Sequence, residues 1–290
     1  IALFYLKRIQ MYKIIAMKLR NIFLFMMVLI GLSVNSQTLT KIWTTSGGLK
    51  TPESALFDEK TNNVYVTNID GDASTKDGNG FISILNLDGK IKNLHWVTGL
   101  NAPKGQAIHK GNLYVADIDE LVVISIKDGK ITSKIKLENA KFLNDVTASE
   151  DGTVFVTDMR DNKIYVLENG KLVLWLEDKL ITNPNGLWAE KGKLYIGTGQ
   201  LLQADIKTKE IKVLVDNCGG IDGIEKMENG EFIYSNWPGR IFVTKGTESI
   251  KLLDTVDKKN TADIDYVPGK KLVLVPTFSG NSVEAYKLNP

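Results

Sequence analysis

The chain has 290 residues, of which 24% are charged and 43% hydrophobic, enough apolar material for a sizeable core. Its formal net charge is +2. Five of the 36 basic side chains (Lys7, Arg8, Lys13, Lys18 and Arg20) lie in residues 1–36, which hold no acidic one. The remainder therefore carries 31 basic against 34 acidic groups, and this balance argues against a nucleic-acid partner. A single cysteine, Cys218, excludes an intramolecular disulfide.

Met17-Lys18-Leu19-Arg20-Asn21 reads as a basic segment, 22–32 as a short apolar run, and Val34-Asn35-Ser36 as a small-residue cleavage site. This is the pattern of a secretory signal, and 1–16 read as translated sequence upstream of it. The apolar run is shorter than the ~20 residues of a membrane span, so no stable span is expected. The expectation is export, with a periplasmic or secreted protein starting at Gln37.

From Gln37 onward the chain repeats. Asn183-Pro184-Asn185-Gly186-Leu187-Trp188 precedes Lys193-Leu194-Tyr195-Ile196-Gly197: a turn, a polar residue, a short apolar strand, a glycine turn and a second strand. The pattern recurs at Glu53-Ser54-Ala55, Lys104-Gly105-Gln106, Asn144-Asp145-Val146, Asp222-Gly223-Ile224 and Asp263-Ile264-Asp265. One column results: Glu53, Lys104, Asn144, Asn185, Asp222 and Asp263, separated by 51, 40, 41, 37 and 41 residues. A period near 40 with several short strands per repeat predicts an all-β fold: a six-bladed β-propeller of four-stranded blades around a central channel, in one domain over 37–290.

In chain order, 39–43 alternates as a strand. The first repeat predicts strands over 55–58, 63–68, 80–86 and 90–96, and the polar insertion 70–80 reads as a surface loop that lengthens the first spacing. No Glu stands at the twelfth position of that insertion, so it is no EF-hand loop. Asp128-Gly129, Asn169-Gly170 and Asn229-Gly230 are hairpin turns. The last repeat supplies only three strands, over 265–267, 271–276 and 282–288. The N-terminal strand is expected to complete that blade and remove the open edge.

Residues at the same point of each repeat reach the same height on the channel. The column then gathers carboxylate and amide oxygens, which suit Ca²⁺ or another hard divalent ion, and its lack of His and Cys disfavours Zn²⁺. Asn and Asp also favour turns, and each column residue follows one. Glu has no such preference, so Glu53 speaks for a site. His95 and His109 fall off the column and read as ordinary strand residues, Cys218 reads as a buried thiol, and Trp188 and Trp237 border the channel mouth or pack within blades.

Pro52-Glu53-Ser54, Leu143-Asn144-Asp145, Asn183-Pro184-Asn185-Gly186-Leu187 and Ile221-Asp222-Gly223-Ile224 resemble the SMP-30/gluconolactonase/regucalcin family, with paraoxonase and diisopropylfluorophosphatase as more distant relatives. The resemblance spans nearly all of 37–290. It implies a divalent ion, usually Ca²⁺, held by Glu53, Asn185 and Asp222, with Asn144 a ligand or a substrate contact and Asp222 the base or nucleophile. Lys104 stands where paraoxonase-like members have His, and Lys141-Phe142-Leu143 where regucalcin-like members have an Arg. The expected function is a Ca²⁺-dependent hydrolase of lactones or related esters acting on a small molecule. Asp222 and Lys104 would be its catalytic groups, and Lys104, Asp263, Asp145 and Trp188 its channel or substrate contacts. The alternative is a non-catalytic binding propeller with a structural ion; a strictosidine-synthase-like arrangement ranks below both.

Overall fold

Short runs such as Val154–Asp158 and Lys193–Gly197 alternate β-branched and aromatic residues, which favour a pleated surface buried on both faces. The Asn169-Gly170 turn between Lys163–Glu168 and Lys171–Leu176 has positive φ at both residues, 48° and 75°. Such a turn matches the twist of the strands it joins. In this computed structural model, which describes residues 8, 10–13, 15–18, 37–45 and 47–290, these hairpins build six four-stranded antiparallel sheets.

Blade I runs through Pro52–Asp58, Asn63–Asn68, Gly80–Asn86 and Ile91–Leu100. Blade II is Pro103–His109, Asn112–Asp117, Glu120–Ser125 and Lys130–Lys136, and blade III is Leu143–Ala148, Val154–Asp158, Lys163–Glu168 and Lys171–Leu176. Blade IV is Leu187–Glu190, Lys193–Gly197, Leu201–Asp205 and Ile211–Val215, and blade V is Ile224–Lys226, Phe232–Asn236, Arg240–Lys245 and Glu248–Asp254. Blade VI joins Asp265–Val267, Leu272–Pro276 and Val283–Asn289 to the N-terminal strand Thr38–Thr44. Each blade meanders outward, and the first strands touch one another in a ring around the channel.

The six-bladed expectation and the closure by the N-terminal strand both hold. Thr38 pairs with Asn289, Leu39 with Leu288 and Lys41 with Tyr286. Trp43 locks the joint by packing among Leu85, Leu87 and Leu274 and donating its indole N–H to the Leu87 carbonyl at 3.1 Å. Cores lie between blades, where faces meet: Phe155, Ile164 and Trp175 of blade III pack on Leu194, Ile196 and Leu202 of blade IV.

Residues 37–289 form one compact unit. Residues 8, 10–13 and 15–18 are helical. The predicted apolar run 22–32 and cleavage site 34–36 lie outside the described residues. Among the described residues no helix is long and apolar enough to cross a membrane.

Candidate active site

The polar residue that ends the second strand of a blade pins the turn entering its first strand. Asp158 accepts hydrogen bonds from the Lys141 and Phe142 amides at 2.7 and 2.9 Å, just before Asn144. Asp117 accepts from the Asn101 and Ala102 amides at 2.8 and 2.7 Å, just before Lys104. Asn68 accepts from the Lys50 amide at 2.9 Å, ahead of Glu53. These turns repeat, so the residues that follow them arrive at one level of the channel.

Five of the six column residues share one chamber of about 300 Å³ at one end of that channel: Glu53, Lys104, Asn144, Asn185 and Asp222. Four of these side chains are at most 6% exposed; Asn185 is half-buried. Asn185 Nδ2 donates to Asp222 Oδ1 at 2.8 Å, and Asn144 Nδ2 faces Met159 Sδ at 3.4 Å. The opposite atoms are left over, because Glu53 Oε2 and Asn144 Oδ1 are buried without any hydrogen-bond partner.

Orphaned buried acceptors are costly, and burial without a counter-charge works against ionisation. The Glu53 carboxyl is pushed well up, first by burial and then by the charge of Asp222. Burial raises Asp222 to about 7 against the opposing Asn185 hydrogen bond. Lys104 falls to about 8, again through burial, with Glu53 and Asp117 pulling it back up. Its ammonium donates to the Ala102 carbonyl at 2.8 Å and sits 4.4 Å from the centre of the Phe142 ring. No carboxylate comes within 4 Å of it among the described residues.

Two carboxylates and two amides from four blades are a hard-oxygen set, and two unsatisfied oxygens within it fit a divalent cation. Among the described residues no three His, Cys, Asp or Glu side chains cluster as ligands, so any cation here leans on the amides.

Asp263 does not share this chamber. In the sheet ladder Ala262 occupies its place: the Ala262 amide donates to Pro276 O, as Asp222 does to Ser235 O and Asn185 to Gly197 O. Asp263 lies one residue further and lines the opposite end of the channel, together with Asp145 and Trp188. Asp145 is a latch between blades, accepting from the Leu187 amide at 2.6 Å and the Val146 amide at 2.7 Å. Trp188 packs on Tyr195 at 5.7 Å, with Lys226 at 5.4 Å. Of the expected channel contacts, only Lys104 faces the Glu53–Asp222 chamber.

The chamber walls are apolar: Ile69, Ala73, Phe142, Met159, Trp237 and Phe278. Trp237 is 48% exposed and meets Phe278 edge-on at 5.6 Å across the mouth, while Ile69 and Ala73 bring the insertion of blade I to the rim. Apart from Trp237, the sequence reading singled out none of these as site residues, yet a signal exists. Ile69, Met159 and Trp237 each follow the Asn or Asp that closes a second strand, a second column beside the first. Both histidines lie elsewhere: His95 packs at a tilt against Phe81, 4.4 Å between ring centres, and His109 packs beside Gly152. Cys218 is buried at 2% exposure, its thiol directed at the Val215 carbonyl.

Similar solved structures share this ring. A streptogramin B lyase has a TM-score of 0.62 at 16% identity, covering 88% of this chain and 98% of its own. A catalytically inactive histidine-to-alanine variant of virginiamycin B lyase from Staphylococcus aureus, with quinupristin, gives 0.61 at 14%, covering 88% and 100%. A candidate gluconolactonase gives 0.63 at 14%, covering 88% and 93%. No family model matches the chain, and no curated protein matches it. At such identities the likeness is one of fold.

Proposed function

We propose that the protein is an exported hydrolase of lactones or related esters that works with a divalent cation, Ca²⁺ or a similar hard ion, in the Glu53–Asp222 chamber. The observation that carries this reading is the pair of orphaned oxygens, Glu53 Oε2 and Asn144 Oδ1, beside the Asn185–Asp222 hydrogen bond. Glu53, Asn144, Asn185 and Asp222 would hold the cation, which supplies Lewis-acid polarisation of a carbonyl when bound.

The residues then divide the remaining work. Asp222 takes the proton of the attacking water as general base. Asn185 fixes the orientation of that carboxylate through its Nδ2. The Lys104 ammonium, held by Ala102 and by the Phe142 face, neutralises the oxyanion that forms on the substrate. Phe142, Met159 and Phe278 exclude water and suit a substrate with an apolar body better than a polyol.

A lyase reading drawn from the first two neighbours finds less support. One of them is described as inactive with a histidine replaced by alanine, and neither histidine here lines the channel. A binding propeller with a structural ion is the competing reading. Assaying the protein on apolar lactones and aryl esters, with Ca²⁺ and with chelator, decides between them. Chelator-sensitive turnover that Asp222→Asn abolishes supports hydrolysis. Tight Ca²⁺ binding with no turnover on any substrate supports the binding module.

A further inference from the structure

The channel has a second chamber, at the end opposite the Glu53–Asp222 site. It encloses about 450 Å³ and draws its lining from the first strands of all six blades. Asp58, Asp145, Glu150, Glu190, Glu225, Asp263 and Asp265 line it, and no Lys, Arg or His does so among the described residues. Glu190 already has a cation, Lys226, at 2.6 Å. Asp145 and Asp265 accept backbone N–H bonds. Glu225 faces the Trp188 indole and Asp263 the Ser54 hydroxyl, and neither has a positive charge beside it.

A second observation points to a ligand. Gln106 is 5% exposed and lines this chamber. Its Nε2 donates to Tyr65 O at 3.0 Å and faces Ser54 Oγ at 3.4 Å, which fixes the amide. Its Oε1 has no partner. A buried acceptor and carboxylates without counter-charges together ask for a donor that carries positive charge.

We propose that this chamber binds a linear aliphatic di- or polyamine. Among the described residues no three acidic side chains converge as metal ligands. The carboxyls are spread over the ring instead, with Leu56, Ile108, Ala148 and Leu187 between them. Ammonium groups separated by methylene segments reproduce that alternation of charge and apolar wall. Ammonium N–H groups satisfy Gln106 Oε1 and the Glu225 and Asp263 carboxylates, and the volume lies within the range of small-molecule pockets. The site is independent of catalysis at the other end and does not rest on the hydrolase reading.

Isothermal titration of the full chain with spermidine and with putrescine, in chelator, tests this. Saturable 1:1 binding is expected, weakened about tenfold by Glu225→Gln and by Asp263→Asn, the scale of one charge-assisted hydrogen bond. Gln106→Leu weakens it too. Glu53→Gln, at the other chamber, keeps the affinity. Glu225→Gln removes a buried charge, so its fold, checked by circular dichroism, is retained. Absence of saturable heat at millimolar spermidine overturns the proposal and leaves the carboxyls simply protonated. Equal binding of CaCl₂ alone, lost in the same variants, overturns it in favour of an inorganic site. Loss of spermidine binding in Glu53→Gln alone would place the amine at the wrong end.

Discussion

Asp222→Asn should raise stability in the absence of a cation and reduce the stabilisation that a cation gives. Asp222 is 3% exposed, and its folded pKa is raised to about 7 by burial. From an unfolded value near 3.9, that places a ceiling of about 4 kcal/mol on the cost of ionising it in the folded state. The raised value means the stability belongs to the protonated form. It is fully present below about pH 4 and lost as pH rises to about 7. In chelator, wild type therefore loses stability over this window, and Asp222→Asn escapes its share of the loss. Asp145 and Asp265, raised to about 8 and about 7, titrate in the same direction in both proteins. The variant also relieves the charge that pushes up Glu53, Asp145 and Asp263, so the difference between the two curves reports Asp222 together with that coupling. At pH 8 the variant should melt higher in chelator, by ~2–4 °C for each kcal/mol recovered in a domain of this size. Added Ca²⁺ narrows this gap. Binding to the folded state stabilises wild type by ~2.7 kcal/mol at about 100 times the dissociation constant, and the variant gains less. Differential scanning calorimetry at pH 5 and pH 8, with chelator and with Ca²⁺, reads all four states. Parallel pH curves for the two proteins, or equal Ca²⁺ shifts, would refute the argument.

Glu53→Gln should lower Ca²⁺ affinity in calorimetric titration while retaining measurable turnover at saturating Ca²⁺. Lys104→Met should lower kcat of lactone hydrolysis about a hundredfold or more with a smaller change in KM, as for the loss of one oxyanion donor. Trp43→Ala should cost about 2–4 kcal/mol in urea unfolding, since it empties a partly buried aromatic site and strands the Leu87 carbonyl; an unchanged midpoint would mean the closing strand contributes little. Intact-mass analysis of exported protein should give a chain starting at Gln37, and a mass that begins at Met17 would contradict cleavage.

Most of the ring was legible because a propeller writes its architecture into a repeat. The column residues follow turns, and a turn residue three-dimensionally fixed in every blade keeps its register in the sequence. Blade VI misled for a local reason. Asp263-Ile264-Asp265 offers two carboxylates just past the true position, and Ala262, which holds that position, carries no polar side chain to mark it. A one-residue slip along a strand moves a side chain to the other side, so Asp263 passed from one chamber to the other. Glu225 and the amide of Gln106 stayed hidden because they lie beyond the column, and for Gln106 the parity of its strand toward the channel is set by the bulge after Pro103. The waist between the chambers was equally unmarked. Gly105 and Gly223 sit there because a Cβ would run into Asp145 and into the Ile264 and Asp263 backbone of the next blade.

Blade VI is shared by the two ends of the chain. Thr38 lies against Asn289, 251 residues away, so that sheet is the longest-range strand pairing among the described residues. Until the last strand exists, the first has nothing to pair with, and the ring stays an open arc with an unpaired edge. Loop-closure entropy and contact order both place this joint late in folding. Linking Asn289 to Gln37 by a short turn and opening the chain at Asn169-Gly170 would make the same joint an ordinary hairpin. The native order instead makes closure of the ring a report that all six blades have arrived.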